Sequence, residues 1–94
     1  SPEDFKILKA YPNPFNAEIN LVITGNDKIL KTLNIFDIEG KLVKTIYNPS
    51  PFQKTIKLKW DGKNNFGSRV PSGIYFVASK NKNFQINDKI MLLK

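Results

Sequence analysis

Thr55-Ile56-Lys57-Leu58-Lys59-Trp60 alternates between apolar and polar residues without a break. Successive side chains on a strand point to opposite faces, so Ile56, Leu58 and Trp60 share one face and Lys57 and Lys59 the other. The segment is predicted to be a strand with one face in a core and one in water. Lysines on the wet face also discourage edge-to-edge association. Asn48-Pro49-Ser50-Pro51 breaks the chain before it, and Asp61-Gly62-Lys63-Asn64-Asn65-Phe66-Gly67-Ser68 makes a long polar turn after it.

The same period extends in both directions. Phe5–Lys9 reads as a first short strand; Glu18–Ile23 is a second, with Ile19, Leu21 and Ile23 inward. Thr32–Asp37 is a third, with Leu33 and Ile35 on one face, and Leu42–Tyr47 is its return strand. Between them lies Asp37-Ile38-Glu39-Gly40, where Asp at the first position and Gly at the fourth suit a type I turn ending in a left-handed glycine. Gly73–Ser79 and Phe84–Leu93 complete the set, the last with a bulge at Asn87-Asp88. Gly25-Asn26-Asp27-Lys28 and Asn81-Lys82-Asn83 are the remaining turns. Turn signals recur about every ten residues, and about seven short strands in one domain predict an all-β, immunoglobulin-like antiparallel sandwich. No helix, internal repeat or low-complexity segment is expected.

Tyr11-Pro12-Asn13-Pro14-Phe15-Asn16 interrupts this pattern. Pro12 and Pro14 fix their own φ and bias the residues before them away from the helical region. The segment is predicted to be an extended, polyproline-like corner. Asn13 and Asn16 are placed to bond nearby backbone, and Tyr11 and Phe15 to pin the corner to a core.

Composition narrows the function. A chain of 94 residues, 40% apolar and with seven Phe, three Tyr and one Trp, makes one folded domain, residues 1–94. With no Cys there is no disulfide or thiolate metal site, and with no His the commonest general base at neutral pH is missing. No Ser/His/Asp set, Cys/His pair or carboxylate cluster stands out; Glu18 and Asp88 could meet in space, but nothing in the sequence brings them together. The chain opens on Ser1-Pro2 without an initiator Met or a signal peptide and reads as a piece of a longer protein. No apolar run approaches the roughly 18 residues needed to span a membrane.

The formal charge is +7, almost all from lysine, and Arg69 is the only arginine. The lysines are scattered and lack the arginine forks and stacking aromatics of nucleic-acid readers, so a solvated surface is expected rather than a nucleic-acid site. Asp61–Asn65 superficially matches a calcium loop, but Lys63 stands where an oxygen ligand is needed and no closing Glu follows. A hairpin loop shaped by Gly62 and Gly67 is the better account. Trp60 is expected to seal the core rather than to stack on sugar. Tyr47, Phe52 and Phe66 lie in or near loops, where aromatics are expected to pack down on their own loop; an exposed platform for polysaccharide is the alternative.

Several blocks together resemble one family. They are Tyr11-Pro12-Asn13-Pro14, Phe36–Val43 with Asp37 and Gly40, Trp60-Asp61-Gly62, Gly67 with Pro71–Tyr75, and the closing Lys89-Ile90-Met91-Leu92-Leu93-Lys94. The chain resembles the type A C-terminal sorting domain of the type IX secretion system, kin to the immunoglobulin-like domain of the flagellar hook-capping protein. The resemblance implies a noncatalytic domain without cofactors, at the C-terminus of an exported protein. It would direct that protein through the periplasm and across the outer membrane, to the medium or the cell surface. Its partners would be secretion-system proteins and the N-terminal cargo in the same chain, with a surface polysaccharide as a further candidate and no nucleic acid. The resemblance places Gly73, Tyr75, Lys89, Leu92 and Lys94 among the residues that the machinery reads. The other signature residues (Tyr11, Pro12, Asn13, Pro14, Asp37, Gly40, Trp60, Asp61, Gly62) would be structural. Two other roles fit the same residues: an immunoglobulin-like spacer or assembly module, and a carbohydrate-binding accessory module of a secreted enzyme.

Overall fold

The computed structural model describes residues 5–25, 30–79 and 85–94. In chain order the strands are β1 (Phe5–Tyr11), β2 (Ile19–Gly25), β3 (Thr32–Phe36), β4 (Leu42–Tyr47), β5 (Thr55–Trp60), β6 (Gly73–Ser79) and β7 (Gln85–Leu92). They form two antiparallel sheets, β1-β2-β5 and β4-β3-β6-β7, packed as an immunoglobulin-like sandwich. Among the described residues there is no helix. The expected turns at Asn26–Lys28 and Asn81–Asn83 lie outside the described residues.

Alternation decides which residues meet between the sheets. On β5 the pattern is strict: Ile56, Leu58 and Trp60 are buried, while Thr55, Lys57 and Lys59 are exposed. The pairing of Ile19 with Trp60, Leu21 with Leu58 and Ile23 with Ile56 puts the inward residues of β2 beside those of β5. Leu33, Ile35, Tyr75, Val77, Ile90 and Leu92 face them from the four-stranded sheet. Burial of these side chains is the main stabilising term, at roughly 1.5–3 kcal/mol for each fully buried Val, Leu, Ile or Phe.

Several strand ends differ from the sequence expectation: β3 stops at Phe36 and β7 at Leu92, one residue early, and β1 and β2 differ more. β1 continues past Lys9 to Tyr11, because Ala10 pairs with Leu21 and Tyr11 with Asn20. The bias that Pro12 places on Tyr11 is toward extended backbone, which a strand accepts. β2 begins at Ile19 and runs on to Gly25. The predicted bulge in the last strand is present: Val77 pairs with Asp88 and Ala78 with Ile86, leaving Asn87 as the extra residue.

The outer surfaces of the two sheets are unlike. Lys9, Lys57 and Lys59 are exposed on the three-stranded sheet, and Lys9 Nζ lies 4.7 Å from the centre of the Tyr11 ring. On the other sheet Phe76 pairs with both Phe36 and Lys89, and Ile74 pairs with Met91. Its outer face carries this apolar group at one end, with Asn34 and Thr45 bonded to each other further along and Lys89 at the margin.

Candidate functional site at the closing strand

β7 lies at one edge of its sheet, and such an edge normally presents unpaired N–H and C=O groups. Here the proline segment occupies that edge. Phe15 N–H donates to Met91 O (2.9 Å), and Leu93 N–H donates to Phe15 O (2.8 Å). The amide of Asn13 adds two bonds: Oδ1 accepts from Met91 N–H (3.0 Å), and Nδ2 donates to Lys89 O (3.4 Å). Asn16 Nδ2 donates to Leu93 O (3.0 Å), and Lys94 N–H donates to Ser72 Oγ (3.1 Å). Both the Tyr11-Pro12 and Asn13-Pro14 peptides are cis, unlike the all-trans polyproline-like run expected from sequence. If β7 had been open, a partner could have added a strand beside it; its last residues have no such free edge.

Beneath this edge the signature blocks converge. Phe15 is buried against Trp60, with ring centroids 5.5 Å apart. Trp60 meets Tyr75 edge-on at 5.2 Å. Such tilted pairs are favoured by the ring quadrupoles and contribute about 0.5–1.5 kcal/mol beyond burial. Trp60 Nε1 donates to Lys63 O (2.9 Å), so the indole N–H is satisfied inside the fold. Asp61 Oδ1 accepts from Lys63 N–H (3.1 Å) and holds the turn that makes this carbonyl available. Gly62 has φ +73°, and a Cβ there would touch Leu92 Cδ2 at 3.7 Å. The left-handed backbone, more than lack of space, requires glycine at this position.

Tyr75 donates its hydroxyl to Pro71 O at 2.6 Å. Burial and then the nearby Asp37 carboxylate push its pKa above the usual tyrosine value. Both effects favour the neutral phenol, which is the form that donates.

Two turns flank this end of the sandwich and share one design. In the first, Asp37 Oδ1 accepts from Glu39 and Lys41 N–H, both at 2.9 Å, and Gly40 N–H donates to Asp37 O. In the second, Asn64 Oδ1 accepts from Phe66 (2.9 Å) and Ser68 N–H (3.0 Å), and Gly67 N–H donates to Asn64 O. Gly40 and Gly67 both have φ +84°. The matching Asp-x-x-Gly and Asn-x-x-Gly spacings were the available signal for this equivalence. The second turn also covers part of the β4 edge: Asn65 N–H donates to Val43 O, and Asn65 Oδ1 accepts from Thr45 N–H. Sequence reasoning missed this contact.

The residues expected to be read by a partner divide into two groups. Lys89 and Lys94 are exposed and Gly73 is half-buried. Tyr75 and Leu92 are buried, so a partner meeting the folded domain reads them only through the backbone they hold in place. Met91 and Leu93 are instead the outward apolar residues of the closing segment. Among the described residues neither Lys89 nor Lys94 has an ion-pair partner.

The other candidates stay apart. Glu18 is 3.6 Å from Lys59, while Asp88 Oδ1 accepts from Lys89 N–H. Tyr47, Phe52 and Phe66 do not pack down on their loops: they are 74%, 86% and 93% exposed, Tyr47 at the outward end of β4 and the two Phe rings outside turns that close through backbone and amide bonds. Tyr47 and Phe66 line different pockets, so the loop aromatics form no common platform. Trp60 is 1% exposed and unavailable for stacking on a ligand. Among the described residues no group of His, Cys, Asp or Glu is placed to hold a metal ion, and no helix is long and apolar enough to cross a membrane.

What these features define is a sandwich, with seven strands among the described residues, whose closing strand is tied to its proline corner. The chain belongs to the secretion system C-terminal sorting domain family, whose model matches residues 9–93. Its role is that of a C-terminal sorting domain. No curated protein sequence matches it. The fold is similar to part of dimeric latent PorU from Porphyromonas gingivalis, with a TM-score of 0.73 and 21% identity over 99% of this chain and 10% of that one. It is also similar to part of PorZ, an essential surface component of the type-IX secretion system of the same organism. There the TM-score is 0.61, with 22% identity over 92% of this chain and 11% of PorZ. The chain thus spans about a tenth of either protein, and at these identities the likeness is one of fold.

Proposed function

We propose that this domain is the C-terminal sorting signal of a longer exported protein and is read in its folded state by the type IX secretion machinery. It is the type A form, kin to the hook-capping immunoglobulin-like domain, and residues 1–94 are one such domain. Cargo precedes it in the parent chain. The pair crosses the periplasm and then the outer membrane, ending at the surface or in the medium. The domain acts by docking, without catalysis or cofactors. The family match across residues 9–93 carries this reading. The likeness in fold to PorU and PorZ supports it.

Gly73, Lys89 and Lys94 supply the recognised surface, and Tyr75 and Leu92 set the backbone beneath it. The proline corner and the closing strand are far apart in sequence and bonded in space, so the surface is complete only when the domain has folded. Charge reversal at Lys89 and Lys94 tests the assignment. A reporter fused to the Lys89→Glu, Lys94→Glu variant accumulates in the periplasm, while circular dichroism shows an intact sandwich. Normal export of that folded variant would remove these lysines from the recognised surface.

A further inference from the structure

The edges of the two sheets are not equally protected. The end of β7 is covered by Asn13, Phe15 and Asn16, and β4 is covered at Val43–Thr45 by Asn65. β1 carries a register shift between Ile7 and Lys9 and lies against β7. β5 differs from all of these. Its pairing with β2 runs unbroken from Ile19↔Trp60 to Thr24↔Thr55, and among the described residues nothing bonds to its outer edge. A straight, regular edge with free N–H and C=O groups is a template for another strand.

The surroundings of that edge specify what would fit. On the solvent side stand Lys57 and Lys59. At the Trp60 end of the edge an open groove of about 420 Å³ lies between β5 and β4, with Ile46 and Tyr47 on one wall and Lys44, Lys59 and Asp61 around it. The acids there are engaged: Glu18 pairs with Lys59, and Asp61 Oδ1 holds the turn after β5. Lys44 and Lys57 have no ion-pair partner among the described residues. With Lys44, Lys57 and Lys59 set against Glu18 and Asp61, the net charge along this edge is positive.

We propose that the outer edge of β5 docks an extended acidic peptide, which adds as a fourth strand to the β1-β2-β5 sheet. Side chains on such a strand alternate between the two faces. Those beside Lys57 and Lys59 are carboxylates; those on the opposite face are apolar, and the one at the Trp60 end meets Ile46 and Tyr47 in the groove. The lysines thus act twice, keeping neutral strands off the edge and selecting an acidic one. The proposal goes beyond the sorting role and does not depend on the lysines at the closing strand.

The test uses the 94-residue chain. A synthetic peptide of alternating valine and glutamate, about eight residues long to span the strand, is titrated while backbone amides are followed by NMR. The expected result is a saturable shift of the Thr55–Trp60 amides that weakens with added salt. Peptide with alternate amides N-methylated does not bind, nor does the valine–lysine counterpart. The Lys57→Glu, Lys59→Glu variant binds about tenfold more weakly, since reversing two charges removes two attractions and adds two repulsions. No shift at these amides, or equal binding of the N-methylated peptide, overturns the proposal. An identical response to polyglutamate or to a sulfated polysaccharide overturns it too, since that is a polyanion surface without strand pairing. Concentration-dependent broadening of the same amides without peptide also overturns it, by giving the edge to a second copy.

Discussion

Asn13 and Met91, 78 residues apart, are joined by a 3.0 Å hydrogen bond from the Met91 N–H to the Asn13 side-chain oxygen. The other end of the same amide donates to Lys89 O. One side chain thus takes the place of a neighbouring strand at the edge of the sandwich. Asn13→Ala is expected to cost about 1–2 kcal/mol in urea unfolding, because backbone groups of Lys89 and Met91 lose their partner at a partly exposed edge. Amide exchange at Met91 should quicken more than at Ile35, in the middle of the sheet. Unchanged exchange at Met91 would mean that the bond contributes little.

The aromatic contacts make Phe15, Trp60 and Tyr75 one packing unit. Phe15→Ala should destabilise the domain by about 3–5 kcal/mol, the usual cost of emptying a large buried aromatic site. Trp60 is the only tryptophan, so its emission reports the transition directly. A loss below about 1 kcal/mol would show that the cluster collapses around the gap or that Phe15 packs more loosely than described.

The twin turns supply their own control. Asn64 already performs the task of Asp37, so Asp37→Asn keeps the accepting oxygen and should change stability by less than about 0.5 kcal/mol. Asp37→Ala leaves the Glu39 and Lys41 N–H groups to water and should cost about 1 kcal/mol. Equal losses for Asn and Ala in thermal unfolding would shift the role of Asp37 from hydrogen bonding to charge.

Tyr75 gives a pH dependence whose sign follows from its environment. Its pKa is raised in the folded state by burial and then by Asp37, so the fold holds the phenol proton more tightly than the unfolded chain does. The stabilisation is complete below the unfolded value of about 10 and is lost as pH rises through the folded value. Tyr75→Phe should cost about 1 kcal/mol at neutral pH through loss of the bond to Pro71 O. Its stability should also fall less steeply above about pH 10 than that of the parent chain. Parallel alkaline profiles for the two proteins would contradict this.

The strands were legible because period two is a local property. β5 begins and ends where the alternation of Thr55–Trp60 does, while β4 and β6 were legible as the largely apolar runs Leu42–Tyr47 and Gly73–Ser79 between turn residues. The Asp37–Gly40 turn and the bulge near Asn87 were legible for the same reason. The function of Asn13 was not, because its partners lie at the far end of the chain and an asparagine in a proline corner has many possible ones. Asn65 at the β4 edge was hidden likewise. The exposure of Phe52 and Phe66 escaped because composition predicts burial, while the loop backbone satisfies itself and leaves the rings out. At the closing strand, alternation already places Leu92 beside Ile90 on the inner face and Lys89, Met91 and Leu93 outside. The motif alone did not separate those that shape the surface from those that form it.

In the proposed function the folded sandwich itself is the sorting signal. The most direct measurement fuses the chain to the C-terminus of a periplasmic reporter in a host with a type IX system and quantifies reporter at the surface and in the medium. Export is expected with the intact domain, and retention in the periplasm with the destabilised Phe15→Ala form, which keeps Gly73, Lys89 and Lys94. Retention of the intact fusion, in cells where an established sorting domain exports the same reporter, would contradict it.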